Sequence, residues 1–529
     1  MSAETRQSEA ALEPMASADV GLDPGDEPDL PARRSRRTVE LRPEHAFDAV
    51  VIGVSAGGFD ALSQVLPALP EDFAPAVIVV QHRGPQSPQL LAETLGRACR
   101  LPVREPRDKE PVTGGTIWLA PAGYHLMVED DGVFGLNIDP RINHSRPSID
   151  ALFESAAGCW GPRVVGVVLT GANSDGARGL STIARFKGLC LVQNPDTAEV
   201  PVMPRTALEA VDSAERIELE DLAPRLTALA VQRRPRRAAP KTSALEDIEI
   251  DLVLEAVFRA WGYDFRHYGR ATLRRRLRHR AALERCGSIS ELIPRLVREP
   301  ELFQRFVRDM STTVTEMFRD AEAFKVLREA VIPILKTWPF VKIWHAGCST
   351  GEEVYSLAIL LKEEGFLDRA RIYATDFNED CLATAREGVY PLDRMRGYSR
   401  NYLLAGGRAS LSEYYHACYN HARLDPALRR NVTFARHNLV SDGSFGEMHL
   451  ILCRNVLIYF DFELQHRVLS VLRDSLVHRG FLTLGSRESL KHRDLRAGFE
   501  DVAPGRSIYR LRETPTPNAG DSSARRIGS

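Results

Sequence analysis

Val341–Glu353 (VKIWHAGCSTGEE) constrains this chain more than any other stretch. A short apolar run around Val341 and Ile343 gives way to small residues from Ala346 to Gly351, and a helix opens on Glu352 and Glu353. Small residues let a backbone approach a ligand closely, and a helix N-terminus offers unpaired N–H groups. A doubly wound α/β sheet presents a nucleotide-like molecule in this way. A second strand, Ala370–Thr375, ends at Asp376, where an acidic side chain can accept hydrogen bonds from ribose hydroxyls.

One such sheet does not account for 529 residues; a chain of this length is expected to hold about three domains. The net charge of −2 gives no global field that would favour nucleic acid. Eight cysteines are scattered without a C-x-x-C pair, which reads as reduced thiols in a cytoplasmic protein and gives no metal site. No apolar run approaches membrane-spanning length and the N-terminus has no apolar signal core, so membrane contact would need a partner.

Residues 1–46 lack apolar periodicity and read as disordered, with Arg33–Arg37 as a solvated charge run. A first domain is expected over 47–230. Phe47–Val54 (FDAVVIGV) is a near-continuous apolar run, as in a strand covered on both faces, and it leads into Ser55-Ala56-Gly57-Gly58 and a helix. Ala76–Val80 ends at Gln81-His82, and Val164–Leu169 runs into Thr170–Gly176 (TGANSDG). Three strand ends thus carry Ser55, His82 and Asp175, and in a parallel sheet those ends share the edge where ligands bind. A serine hydroxyl needs an adjacent base to become a nucleophile; His82 can take its proton and Asp175 can hold the imidazole. Taken singly, Ser55 could cap a helix, His82 could be a satisfied histidine, and Asp175 could belong to a turn.

Residues 231–246 are rich in Pro, Ala and Arg and read as a linker. From 247 to 320 the pattern is helical, with an arginine-laden helix around Arg274–Arg280. Those arginines read either as a solvated face or as a docking surface for an acidic helical partner. From 321 to 511 strand-like runs alternate with helices, including Val432–Leu439, His449–Asp461, Phe481–Leu490 and Ser507–Leu511. That is a seven-stranded Rossmann-like rhythm closing on a hairpin. Residues 512–529 are polar and read as disordered.

Two resemblances sharpen this picture. Ile52–Gly58, Gln81-His82, Leu119–His125, Arg146–Leu152, Thr170–Gly176 and Gln193–Leu208 resemble the catalytic domain of the chemoreceptor protein-glutamate methylesterases, the CheB family. The resemblance implies a Ser55–His82–Asp175 triad acting on glutamyl methyl esters, with glutamine amides as a second substrate class. Ala56 and Val202 depart from the family's threonine and glycine, and the segment before Phe47 is too short for the family's receiver domain.

Thr313–Arg319, Cys348–Tyr355, Ala374–Asp376, Asn438-Leu439 and Cys453–Phe460 (CRNVLIYF) resemble the chemoreceptor glutamate methyltransferases, the CheR family. The last is the most specific, since a polar pair interrupting a buried strand is costly without a role. This resemblance implies S-adenosylmethionine held by Thr313, Thr315, Arg319, Glu353, Asp376, Asn438, Leu439, Arg454 and Asn455. Tyr459 and Arg319 would border the methyl-transfer site. Val354 and Thr313 stand where the family has proline and asparagine.

The expected fold class is therefore α/β: two doubly wound parallel-sheet domains with a small all-helical subdomain between them. The expected partner is the cytoplasmic helices of a methyl-accepting chemoreceptor. Three functional readings follow: a bifunctional receptor-modifying enzyme, a methyltransferase with a regulatory first domain, or a non-enzymatic scaffold that binds S-adenosylmethionine.

Overall fold

The computed structural model describes residues 47–84, 90–231 and 241–512, the side chains of 241–244 excepted. The segments read as disordered (1–46, with Arg33–Arg37, and 513–529) and the middle of the expected linker (232–240) lie outside the described residues.

In the first sheet region the strands are β1 (Ala49–Val54), β2 (Ala76–Gln81), β3 (Val103–Arg104), β4 (Ile117–Leu119), the hairpin β5 (His125–Val128) and β6 (Phe134–Asn137), β7 (Val164–Val168), β8 (Leu189–Gln193) and β9 (Glu215–Ile217). Seven of them form one parallel sheet in the order β3-β4-β2-β1-β7-β8-β9, and the hairpin stands apart. β1 is central and wholly buried, because helices cover both sheet faces; its continuous apolar run follows from that. β2 and β7 flank it directly, so the ends of the three strands that carry Ser55, His82 and Asp175 are neighbours.

The second sheet region contains β10 (Val341–Ala346), β11 (Ala370–Asp376), β12 (Val389–Pro391), β13 (Tyr415–Cys418), β14 (His421–Leu424), β15 (Val432–Arg436), β16 (Met448–Cys453), β17 (Leu476–Leu484), β18 (Phe499–Ala503) and β19 (Ile508–Leu511). Its seven-stranded sheet runs β15-β11-β10-β16-β17-β19-β18, parallel except for the closing β18–β19 hairpin. β12, β13 and β14 form a separate small sheet that the sequence did not announce. The apolar run His449–Asp461 is a strand only to Cys453; beyond it the chain turns and forms a short 3-10 helix, Leu457–Tyr459.

The helical unit comprises Lys241–Trp261, Arg270–Leu283, Leu292–Arg298 and Pro300–Met310. Its first helix begins inside the segment read as linker. Its core is not separate: Val253, Leu277 and Phe306 belong to one apolar cluster with Trp344, Ile451 and Leu482 of the second sheet.

Neither reading of the arginine helix survives. Arg274, Arg276 and Arg280 are buried in Arg270–Leu283. Arginines are rarely buried unless paired, and here the partners are acids of the same chain. Arg274 Nη2 meets Asp130 Oδ2 at 3.1 Å and Asp247 Oδ1 at 2.6 Å. Arg275 and Arg276 both bind Asp139, and Arg280 Nη2 meets Asp309 Oδ1 at 2.7 Å. Burial, with Arg276 beside it, brings the Arg275 guanidinium down to about 10. Asp130 lies in the β5–β6 turn and Asp139 just past β6, so the helix docks on the first sheet region rather than facing solvent.

Candidate functional site

The first candidate site grows from the β1 turn. Gly57 sits at φ 73, and a Cβ at Gly58 would overlap Val54, so only glycines let the chain turn sharply from strand into helix here. The turn leaves Ser55 half-buried at the sheet edge with Ala56 exposed beside it. His82 follows β2, its N–H donating to Val54 O. Its Nδ1 lies 3.2 Å from Ser55 Oγ, and its Nε2 lies 2.8 Å from Asp175 Oδ2.

Asp175 is held at the N-terminus of the helix Ile149–Trp160. Its oxygens accept from Ser148 Oγ (2.9 Å), Ile149 N (2.7 Å), Asp150 N (3.2 Å) and Asn143 Nδ2 (3.3 Å). Burial works to raise its pKa, but the bonds from His82, the Ile149 amide and Ser148 outweigh it, and the carboxyl lies below its ordinary value. A fixed carboxylate on Nε2 keeps the proton there and leaves the Nδ1 lone pair facing the serine hydroxyl. Behind it stands Asp150, which accepts from Gly176 N and Gly179 N; burial and the Asp175 charge push it up to about 6.

The second candidate site is a cavity of ≈ 900 Å³, its open mouth included, at the carboxyl ends of β10 and β11. Gly347 (φ 75) and Gly351 (φ 91) shape the turn; a Cβ on Gly347 would stand 2.5 Å from Val456. Asp376 is buried, and its oxygens accept from Ser349 N (2.9 Å) and Asn378 N (3.0 Å), tying the turn to the second strand. Burial raises its pKa above the ordinary value. Glu353 Oε1 meets His345 Nε2 at 3.1 Å and its Oε2 meets Arg454 Nη1 at 2.8 Å. Burial works to raise the Glu353 pKa, but Arg454 and His345 outweigh it and hold the carboxyl below its usual range. Arg454 Nη2 also reaches Asp320 Oδ2 at 2.9 Å.

Thr315, Arg319, Glu353, Asp376, Asn438, Leu439, Arg454, Asn455 and Tyr459 all line this cavity. Thr313 does not. It is exposed and faces a neighbouring cleft, while Thr312 lines the cavity in its place.

Three supporting groups had escaped notice in the sequence. Glu488 is buried and accepts from Gly485 N (2.6 Å), Asn455 N (2.9 Å) and Ile458 N (3.2 Å), which fixes the turn that presents Asn455. Its signal was an acid just past the buried β17. His345 was hidden inside an apolar strand. Ile138, from the first sheet region, also lines the cavity and has no local signal at all.

Residues 50–226 match the CheB methylesterase family, 248–311 the all-alpha domain of CheR methyltransferase, and 313–503 its SAM binding domain. A Pseudomonas putida protein described as methyltransferase Cher3 is 48% identical over 264 residues, spanning 50% of this chain and 97% of that protein. A Leptospira interrogans protein described as a protein-glutamate methylesterase/protein-glutamine glutaminase is 44% identical over 177 residues, spanning 34% of this chain and 92% of its own. The chain belongs to both families, CheB first and CheR second. A Rhodobacter capsulatus protein of 104.1 kDa, described as uncharacterized, aligns across both halves at 29% identity, with 83% of this chain and 48% of that protein covered.

The CheR half is a SAM-dependent methyltransferase of this family. Its cavity suits S-adenosylmethionine on its own chemistry. The Ser349 hydroxyl and Arg454 Nε are buried polar atoms without a hydrogen-bond partner on residues that line the cavity, and Asp376 stands at the second strand end. Among the described residues no group of His, Cys, Asp and Glu could hold a metal ion, and no helix is long and apolar enough to cross a membrane.

Proposed function

We propose that this chain both writes and erases methyl esters on glutamate side chains of chemoreceptor cytoplasmic helices, acting in the cytoplasm. The CheR half, through the cavity at β10 and β11, makes the ester; the CheB half, through Ser55, His82 and Asp175, hydrolyses it and can take glutamine amides by the same path. The His82 relay carries the bifunctional reading over a methyltransferase with an inert companion: Ser55, His82 and Asp175 lie in hydrogen-bonding sequence in the segments that follow three adjacent strands.

In the CheB half, Ser55 Oγ attacks the ester carbonyl as its proton passes to His82 Nδ1. Asp175 faces the imidazolium that forms, and the amides following Ser55 receive the oxyanion. Collapse of the tetrahedral adduct expels methanol, which takes the proton from His82. Water then attacks the acyl-enzyme, with His82 as base, releasing glutamate and restoring Ser55.

When bound, S-adenosylmethionine supplies an electrophilic sulfonium methyl. The chain's task is lighter in this half. A glutamate carboxyl has an unperturbed pKa of about 4.3, so the acceptor is already an anion at pH 7 and needs no base. Asp376 and the Ser349 turn hold the donor side, Arg319 and Tyr459 border the acceptor, and the enclosing walls exclude water.

The test is a radiolabel assay with methyl-labelled S-adenosylmethionine and a receptor cytoplasmic fragment. Base-labile label on the fragment, with volatile methanol that disappears in Ser55→Ala, is the expected result. Stable label without methanol would leave only the methyltransferase.

A further inference from the structure

The two residues proposed to border methyl transfer are only partly exposed. They face the CheB half. The Arg319 guanidinium carbon lies 5.6 Å from the ring centre of Tyr124, a buried CheB residue. Tyr124 Oη accepts from Asn455 Nδ2 at 2.8 Å, in the turn that shapes the acceptor end of the cavity. Ile458, next to Tyr459, is 3% exposed and belongs to the apolar cluster on one face of the CheB sheet. Tyr459 packs on the same cluster with its hydroxyl oxygen enclosed, and Ile138 forms part of the cavity wall.

We propose that the CheB half is a gate on the CheR acceptor site. Docked as seen here, it bars a protein-bound glutamate from the methyl donor and leaves its own serine reachable. The inference rests on the functional reading above. An attacking carboxylate must come within about 3–3.5 Å of the methyl carbon and in line with the breaking bond. Ile138 forms part of the cavity wall and Tyr124 backs Arg319 and Asn455, so with the halves docked the CheB half covers the direct approach to Tyr459.

The contact is built to part. Beside the apolar packing of Ile458 and Tyr459, its fastenings are polar: Glu129 Oε2 accepts from Ala271 N at 2.9 Å, Asn137 Nδ2 donates to Thr272 Oγ1 at 3.2 Å, and Thr312 Oγ1 donates to Asp139 Oδ1 at 3.2 Å. Gln465 Nε2 donates to Asp108 Oδ2 at 3.1 Å. Charged groups such as Asp139 and its arginines regain water on separation, so an interface of this kind opens at lower cost than an apolar one of equal size. The CheB side is asymmetric. Every described hydrogen-bond partner of Ser55, His82 and Asp175 comes from the CheB half. With Ser55 partly exposed and its relay complete within the CheB half, the docked chain erases, and the opened chain writes. That separates two opposed activities that would otherwise cycle without net effect.

One rival route exists. A cleft beside the arginine helix, lined by Arg141, Arg275 and Arg278, shares Ser311 with the cavity. An acceptor threading that cleft would be methylated with the halves still docked.

A reversible lock separates these cases. Asp130 of the CheB half and Asp247 of the CheR half share the Arg274 guanidinium, and both are partly exposed. In the full chain carrying Asp130→Cys and Asp247→Cys, a short bis-thiosulfonate would bridge the halves and a reductant would release them. Bridging should lower methyl transfer to a receptor fragment at least about tenfold, the factor by which the open fraction is cut, and reduction should restore it. Affinity for S-adenosylhomocysteine, measured by calorimetry, should not change. Amide exchange of Val456–Phe460 provides a readout that needs no receptor, and it should slow by a similar factor on bridging. Asp139→Ala should speed both exchange and methyl transfer. Equal methyl transfer in the bridged and reduced chains would overturn the gate in favour of the cleft, and so would fast exchange of Val456–Phe460 in the bridged chain. Slowed exchange with no methylation in either state would keep the gate and refute the receptor as substrate.

Discussion

At the Ser55 edge the deciding carboxylate, Asp175, is held by neutral donors: two backbone amides, a serine hydroxyl and an asparagine amide, with His82 as its one titratable partner. At the other edge Glu353 is held between Arg454 and His345. Both halves place acids at the carboxyl ends of parallel strands, and the chemistry explains the difference. Ester hydrolysis creates a cation on histidine midway, so its acid must be ionised with no permanent cation competing for it. Methyl transfer to an anionic acceptor consumes charge and needs no base, so an acid there is free to serve as a strut that fixes an arginine.

Asp175→Asn would break this comparison most sharply. An amide cannot hold the tautomer that presents Nδ1 to Ser55, and ester hydrolysis measured by methanol release should fall roughly 10⁴-fold. The initial rate of methyl transfer by the CheR half should be unchanged; a parallel collapse there would mean the two edges are not independent. Arg454→Met probes the strut. It strands a buried Glu353, and breaking a buried pair costs about 3–5 kcal/mol, read from urea unfolding of the full chain. Adding Glu353→Gln should recover most of that loss; no recovery would show that the arginine acts elsewhere.

Asp376→Ala should weaken S-adenosylmethionine binding by about 1.5–3 kcal/mol in calorimetry, the range for hydrogen bonds to a charged group. Unchanged affinity would remove Asp376 from the donor site. The smallest effect concerns Glu488, whose carboxyl burial pushes up to about 7 from an ordinary 4.5, against the pull of its amide donors. The folded chain keeps this proton where the unfolded chain loses it. The stability it contributes is therefore full below about pH 4.5 and fades as pH rises through 7. The melting-temperature advantage of wild type over Glu488→Gln should shrink over that interval; a constant gap would refute the shift.

Much of this was legible in the chain. β1, β2, β7, β10 and β11 are apolar runs sandwiched between helices, and burial on both faces writes itself into sequence as continuity. The residues at their ends followed from topology. Short edge strands were not legible: β3 spans two residues and β9 three, too few to show a period. β13, with its mostly exposed side chains, carries no apolar alternation. The arginine helix misled because composition reports charge and not its partners; Asp139 lies 137 residues from Arg276. Asp150 and Glu488 were invisible for the same reason, since a supporting carboxylate is recognised by the amides that reach it.

The carboxylate of Glu129 on the Ala271 amide has a consequence for how the chain is made. The hairpin leaves the ribosome 142 residues ahead of the helix it will cap. Until then Glu129 waits without the Ala271 amide, and Asp130 and Asp139 wait without their arginines. The arrival of Arg270–Leu283 supplies both. The order of synthesis therefore leaves these acids without those partners until the second half arrives to close the contact.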